Sequence, residues 1–251
     1  MTAEVITEAP VTLTVNGQVW LEFLCTPTYL EALAVGFLFN EGLISSMADV
    51  PIVHLCAEGD NVDVWTQHPL VKPAVWRRTS GCGGGATSQV SPTPVQGSSA
   101  DIIGYAQNSE IKDPGFSIAP TALLSLMHSL MESQELYHHT RGVHASALSD
   151  GALLFLEVED IGRHNTLDKI AGRLLLEAPV LSPHLLLTTG RVSSEMLQKA
   201  RRIGVSIVAS RTSPTSLSVR MAESAGITLV GYARRDQLII YTHSRRILTR
   251  G

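Results

Sequence analysis

The chain has 251 residues, 44% of them apolar, enough for one large core or two smaller ones. No apolar run is long enough to span a bilayer. Met1–Glu4 shows neither a basic nor an apolar leader segment, and three cysteines are too few for a disulfide framework, so a reduced cytoplasmic protein without membrane or nucleic-acid partners is expected.

The net charge of −4 is unevenly placed. Residues 1–140 carry 4 Lys+Arg and 14 Asp+Glu, whereas residues 141–251 carry 15 and 9. A balance of −10 against +6 suits a second half that faces an anion, although an ordinary solvated surface gives the same count.

In chain order, Val11–Val15 and Gln18–Leu24 alternate around Asn16-Gly17, the strongest short hairpin signal. A helix follows, with Thr28 and Glu31 spaced as a capping box and Gly42 as its stop. Short strands are predicted around Ile52–Leu55 and Val62–Thr66, on either side of Glu58-Gly59-Asp60. Next come Arg77-Arg78, the glycine loop Gly81–Gly85 around Cys82, and a Pro/Ser/Gly-rich stretch, Ser91–Ser99. Leu123, Leu124, Met127, Leu130 and Met131 predict an amphipathic helix from about Thr121.

From there β and α patterns alternate. Strands are predicted at Val143–Leu148, Ala152–Val158, His184–Thr188, Val205–Ala209, Ile227–Tyr232 and Leu238–Thr242. Helices are predicted from Asn165, from Ser193 to Gly204, and from Ser213-Pro214 to Gly226. The fold class is therefore α/β: a small strand-rich α+β domain over 1–115, then a layered α/β domain over 116–251.

Three polar clusters follow strands of that second domain: Glu159–Asn165, Thr188–Glu195 and Ser210–Ser216. In an open α/β sheet, ligands lie beyond the carboxyl ends of the strands. Arg163, His164 and Asn165, Thr189, Gly190 and Arg191, and Ser210, Arg211 and Thr215 would then share one rim. Guanidinium groups and helix starts are the equipment for a pyrophosphate. Plain N-capping by Asn165, Ser193 and Ser213 is the simpler reading of the same residues. Cys82 lies among glycines with two arginines close by in sequence, which favours a thiolate. Cys25 and Cys56 lie in apolar segments and read as core residues.

Several ordered motifs resemble the formate dehydrogenase accessory sulfurtransferases, the FdhD family. They are Cys25-Thr26-Pro27, Val35–Leu38, Glu41-Gly42, Ser80–Gly83, Arg141–Ala145, Glu159–Asn165 with Leu167-Asp168-Lys169, Thr189–Met196, Ala209-Ser210-Arg211 with Ser213–Ser216, and Gly226–Gly231. The resemblance implies a sulfur carrier that takes sulfur from a cysteine desulfurase as a persulfide on Cys82. It implies delivery to a molybdenum (or tungsten) bis-molybdopterin guanine dinucleotide cofactor, which then enters formate dehydrogenase, with GDP a possible fragment ligand. It further implies a homodimer, a second domain like the cytidine deaminase fold, and a cofactor segment here reading Tyr232, Ala233, Arg234, Arg235, Asp236 and Gln237.

Two departures follow. The second cysteine usual in the family's loop is Gly85, which leaves open a cofactor-binding chaperone without sulfur transfer. His144-Ala145-Ser146 stands where a deaminase would show H-x-E, and no cysteine follows Cys82, so no catalytic zinc is expected.

Overall fold

A computed structural model describes residues 4–73, 76–78, 86–88, 115–179 and 183–248. Cys82 and its glycine loop lie outside these residues. The N-terminal sheet orders its strands β2 (Gln18–Cys25), β1 (Ala9–Val15), β4 (Asn61–Trp65), β3 (Ile52–Leu55). The Asn16-Gly17 turn has φ of +50° and +77°, the two positive values that a two-residue hairpin matching strand twist requires. A short ribbon, β5 (Trp76–Arg78) with β6 (Ala86–Ser88), follows.

Helix α1 (Leu30–Asn40) covers the sheet and is buried almost all round, as its apolar sequence demands. Its start corrects the capping expectation. The N-cap is Tyr29, in the left-handed region at φ +51° and without a side-chain cap. Thr28 Oγ1 instead accepts from Lys169 Nζ, 3.4 Å away.

The second sheet is six-stranded, in the order β12 (Gln237–Ile240), β11 (Thr228–Arg234), β10 (Ile207–Ser210), β9 (Leu185–Thr188), β7 (His144–Ser149), β8 (Leu154–Asp160). β9, β10 and β11 are parallel; β7 and β12 run antiparallel to their neighbours, and β8 antiparallel to β7. Strands β8, β9, β10 and β11 therefore all end at one rim.

Side-chain alternation assigns the two faces. Leu185, Leu187, Ile207 and Ala209 meet helix α2 (Pro120–Glu132). Leu186, Val208 and Leu229 pack on the opposite side with Leu167, Ile170 and Ala171 of α4 (Arg163–Glu177), Met196, Leu197 and Ala200 of α5 (Ser194–Ile203) and Ala222 of α6 (Ser216–Ala225). Helix α3 (Glu135–Thr140) was not foreseen in the sequence. No described helix is long and apolar enough to cross a membrane.

Two further starts differ from expectation. α4 begins at Arg163, ahead of Asn165. α6 begins after Thr215, whose hydroxyl accepts from Ser218 N–H in a capping box. Ser213-Pro214 is extended instead, as the residue before proline prefers, and Pro214 bridges Val192.

The two sheets are joined through α1 and α4, which cross with their backbones almost touching. A Cβ on Gly36 would lie 1.8 Å from Asp168 O, and one on Gly172 would lie 1.9 Å from Ala32 O. Two glycines facing each other's helix make this approach possible, and any side chain there would force the helices apart.

Candidate functional site

The rim brings the three polar clusters together in two groups. The inner group is buried. Arg163, His164 and Asn165 form the first turn of α4 and are 6%, 3% and 2% exposed. Gly190 lies against them: a Cβ there would be 3.0 Å from Arg163 Cβ and 3.6 Å from His144 Nδ1. Thr189 is knitted to β7, its N–H donating to Ala145 O and its hydroxyl accepting from Ala145 N–H. Ser210 Oγ donates to Gly190 O at 2.7 Å, fastening the loop after β9 to the end of β10.

The outer group, exposed except for buried Ala233, surrounds an open cavity of about 620 Å³. Arg211, Ala233, Arg234, Arg235 and Gln237 line it, with Leu124, Met127, His128 and Met131 of α2 on the other side. The hairpin is locally strained. Tyr232 sits at a bulge with φ +51°, its N–H donating to Thr212 O, and Arg235 has φ +56°. Arg234 lies 5.7 Å over the Tyr232 ring. Asp236 completes the turn and lines a neighbouring cavity of about 600 Å³ with Tyr232, Arg234 and Gln237. Thr215 caps α6, and Arg191 is exposed after β9. β8 and β11 are four strand spacings apart, roughly 19 Å.

Asn165 is directed inward. Its amide donates to Leu24 O and Asp160 Oδ1, both at 2.9 Å. Behind it lies a buried polar network to which the sequence had given no role. Asp160 accepts from Thr26 N–H, Gly162 N–H and Lys169 Nζ, the last at 2.6 Å. Asp168 accepts from Asn40 Nδ2 and from Lys199 Nζ, tying α1, α4 and α5. The sequence signals were Thr26, Asp160 and Asp168-Lys169, each inside a quoted motif but none read as part of a network.

Three hydroxyls fill the interior below the rim. Ser146 bonds Thr166 at 2.8 Å and Thr188 at 2.9 Å, and all three residues are fully buried. The residue at the deaminase glutamate position is thus a core hydroxyl with its partners in place. Among the described residues, no three His, Cys, Asp or Glu side chains are grouped to hold a metal ion.

Burial is the main cause that pushes the His164 imidazole down to about 2, with Lys199, Arg163 and His144 adding to it. His144 is lowered too, by burial and then Arg163, with Asp160 opposing. Both are neutral in the fold. A neutral buried histidine contributes stability above the unfolded value near 6.5, and that contribution is lost as pH falls. Between pH 7 and 5, His164 should cost the wild type about 2 kcal/mol. Urea titrations should show this drop flattened in His164→Gln; parallel curves would refute the assignment.

Comparisons with known proteins agree along almost the whole chain. The FdhD/NarQ family model matches residues 6–248. A Bacillus pumilus protein named sulfur carrier protein FdhD is 35% identical, covering 98% of this chain and 91% of its own length. One of that name from Bacillus subtilis is 36% identical over 96% of this chain and 89% of its own length. A crystal structure described as that of a formate dehydrogenase accessory protein from Desulfotalea psychrophila is 27% identical. It superposes with a TM-score of 0.74 over 99% of this chain and 92% of that one.

Proposed function

The chain belongs to the FdhD/NarQ family, and on that premise we propose that it is a sulfur carrier required for formate dehydrogenase activity. The observation that carries the reading is the near full-length match to proteins named sulfur carrier protein FdhD. Cys82 is the carrier. Its thiolate attacks the outer sulfur of a cysteine desulfurase persulfide; a bond forms between Cys82 and that sulfur, the donor's S–S bond breaks, and the donor leaves as a thiolate. No external oxidant is needed.

The outer sulfur then passes to the molybdenum (or tungsten) bis-molybdopterin guanine dinucleotide cofactor, the client, before its insertion into the dehydrogenase; the Cys82 S–S bond breaks, a thiol reductant supplies the two electrons, and Cys82 returns to a thiolate. The rim would hold that client. Arg211, Arg234 and Arg235 around an open cavity, with the α6 N-terminus close in sequence, fit the phosphates of a guanine dinucleotide. Tyr232 and Gln237 belong to the same hairpin. We place the protein in the cytoplasm, acting as a homodimer.

A second reading has one residue in its favour. Gly85 stands at the second loop cysteine, so a chaperone that holds the cofactor without carrying sulfur is the alternative. Mass spectrometry after incubation with a desulfurase and cysteine decides between them. One added sulfur on the peptide containing Cys82 is expected. An unmodified Cys82 beside a sulfur-loaded desulfurase would favour the chaperone.

A further inference from the structure

A further cavity, of about 320 Å³, lies where the α2–α3 turn, β8 and the residues before α1 meet. Leu130, Leu136, Ala145 and Val158 give it an apolar lining, with the Tyr29 ring beside them. Its charge is all of one sign. Glu135, Glu157 and Glu159 line it, and no Lys, Arg or His is among the described lining residues. The half of the chain that supplies Tyr29 and Glu135, residues 1–140, carries the −10 balance.

One acceptor in this wall is buried and left over. Gln134 lines the cavity and is 2% exposed. Its amide nitrogen is engaged, donating to Leu130 O at 3.1 Å and to Met131 Sδ at 3.2 Å. Its side-chain carbonyl oxygen accepts no hydrogen bond among the described residues. A buried acceptor of this kind calls for a donor. Glu159 spends both carboxylate oxygens on the first N–H groups of α3, and Glu157 spends one on the Ser133 hydroxyl. The Glu135 carboxylate and the second oxygen of Glu157 remain. The three carboxylates are not grouped to hold a metal ion. A neutral apolar guest would leave the buried carbonyl without its donor.

We propose that this cavity docks an arginine side chain of a partner polypeptide, its guanidinium donating to Gln134 Oε1 and to the Glu135 and Glu157 carboxylates. A guanidinium offers five N–H groups in one plane, enough for three separate acceptors, and its alkyl stem suits the apolar lining. Tyr29 already carries one guanidinium, that of Arg173 at 4.5 Å from the ring centroid, and Glu177 pairs the charge of Arg173. A free arginine would bring its α-carboxylate to a wall of glutamates, whereas in a peptide that charge is absent. The acidic balance of the N-terminal half favours the approach of a basic partner. The proposal stands apart from the sulfur and nucleotide readings, because none of their residues lines this cavity.

NMR titration of the full chain tests it, with an acetylated, amidated pentapeptide holding one arginine among alanines. The Gln134 side-chain amide signals should shift saturably, and the same peptide with citrulline for arginine should leave them in place. Glu135→Gln/Glu157→Gln should weaken binding about tenfold, and added salt should weaken it further. Free L-arginine should bind more weakly than the peptide. An arginine peptide that does not move the Gln134 signals, or a citrulline peptide that moves them equally, would overturn the proposal without any variant having to fold. Unchanged affinity in a folded double variant would overturn it too. Free arginine binding as tightly as the peptide would rule out the polypeptide occupant.

Discussion

Replacing Cys82 by alanine is expected to reduce formate dehydrogenase activity to the level of cells lacking the protein. The other two thiols are poor substitutes for physical reasons. Cys25 is fully buried at the end of β2, and burial pushes its thiol up to about 12 despite nearby Lys169. At neutral pH it is protonated and out of reach, and only a thiolate attacks a persulfide. Cys56 Sγ lies 3.1 Å from Asp60 Oδ1 and accepts from Asn61 N–H, which fixes it as part of the β3–β4 turn. Cys25→Ala and Cys56→Ala should each cost on the order of 1 kcal/mol of stability and keep dehydrogenase activity at permissive temperature. Formate-dependent dye reduction in rescued cells is the readout. Full rescue by Cys82→Ala would remove that residue from the mechanism, and a fold-neutral loss in Cys25→Ala would mean that the wrong thiol carries the sulfur.

The rim was legible because its signals are local. Apolar runs ending in Gly, Ser, Thr and Arg mark strand ends, and parallel strands place such ends side by side. The sequence assigned Arg211 and Arg234 to one ligand, and both line a single cavity. It also placed Arg163, His164 and Asn165 at the rim, where they are. What it did not carry was their burial. Asn165 is spent on Leu24 and Asp160 because the N-terminal layer folds down over the start of α4.

The misplaced starts share this cause. Thr28 and Glu31 have the spacing of a capping box, yet Thr28 is drawn to a lysine 141 residues away in the chain. Helix α3 has six residues, too few to announce themselves, and its first N–H groups are received by the Glu159 carboxylate, from Leu136 and Tyr137 at 2.8 Å each. Helix α4 misleads most. Leu167, Ile170, Ala171 and Leu174 read as one apolar face, which leaves Asp168 and Lys169 on the supposed solvent side. That side is covered by α1, so the polar face becomes an interface and its charges must pair.

The consequence is largest at Lys169. Its ammonium donates to Asp160 Oδ2 at 2.6 Å and to Thr26 O at 2.8 Å, and both ionic side chains are fully buried. Such a pair adds little over an apolar replacement, but removing one member strands the other. Lys169→Met would leave the Asp160 carboxylate inside the protein with only neutral donors, from Thr26, Gly162 and Asn165. The expected loss is about 4 kcal/mol in urea unfolding, a large share of the stability of an ordinary domain. Adding Asp160→Asn should recover part of it, since the stranded charge is gone, but not all. The amide nitrogen would then point at the Thr26 N–H, donor against donor. Thr26 precedes α1 and Asp160 precedes Arg163, so the pair also fixes how the N-terminal layer meets the rim. A Lys169→Met protein within 1 kcal/mol of wild type, or a double variant no better than the single, would show that Asp160 is not held as a charge.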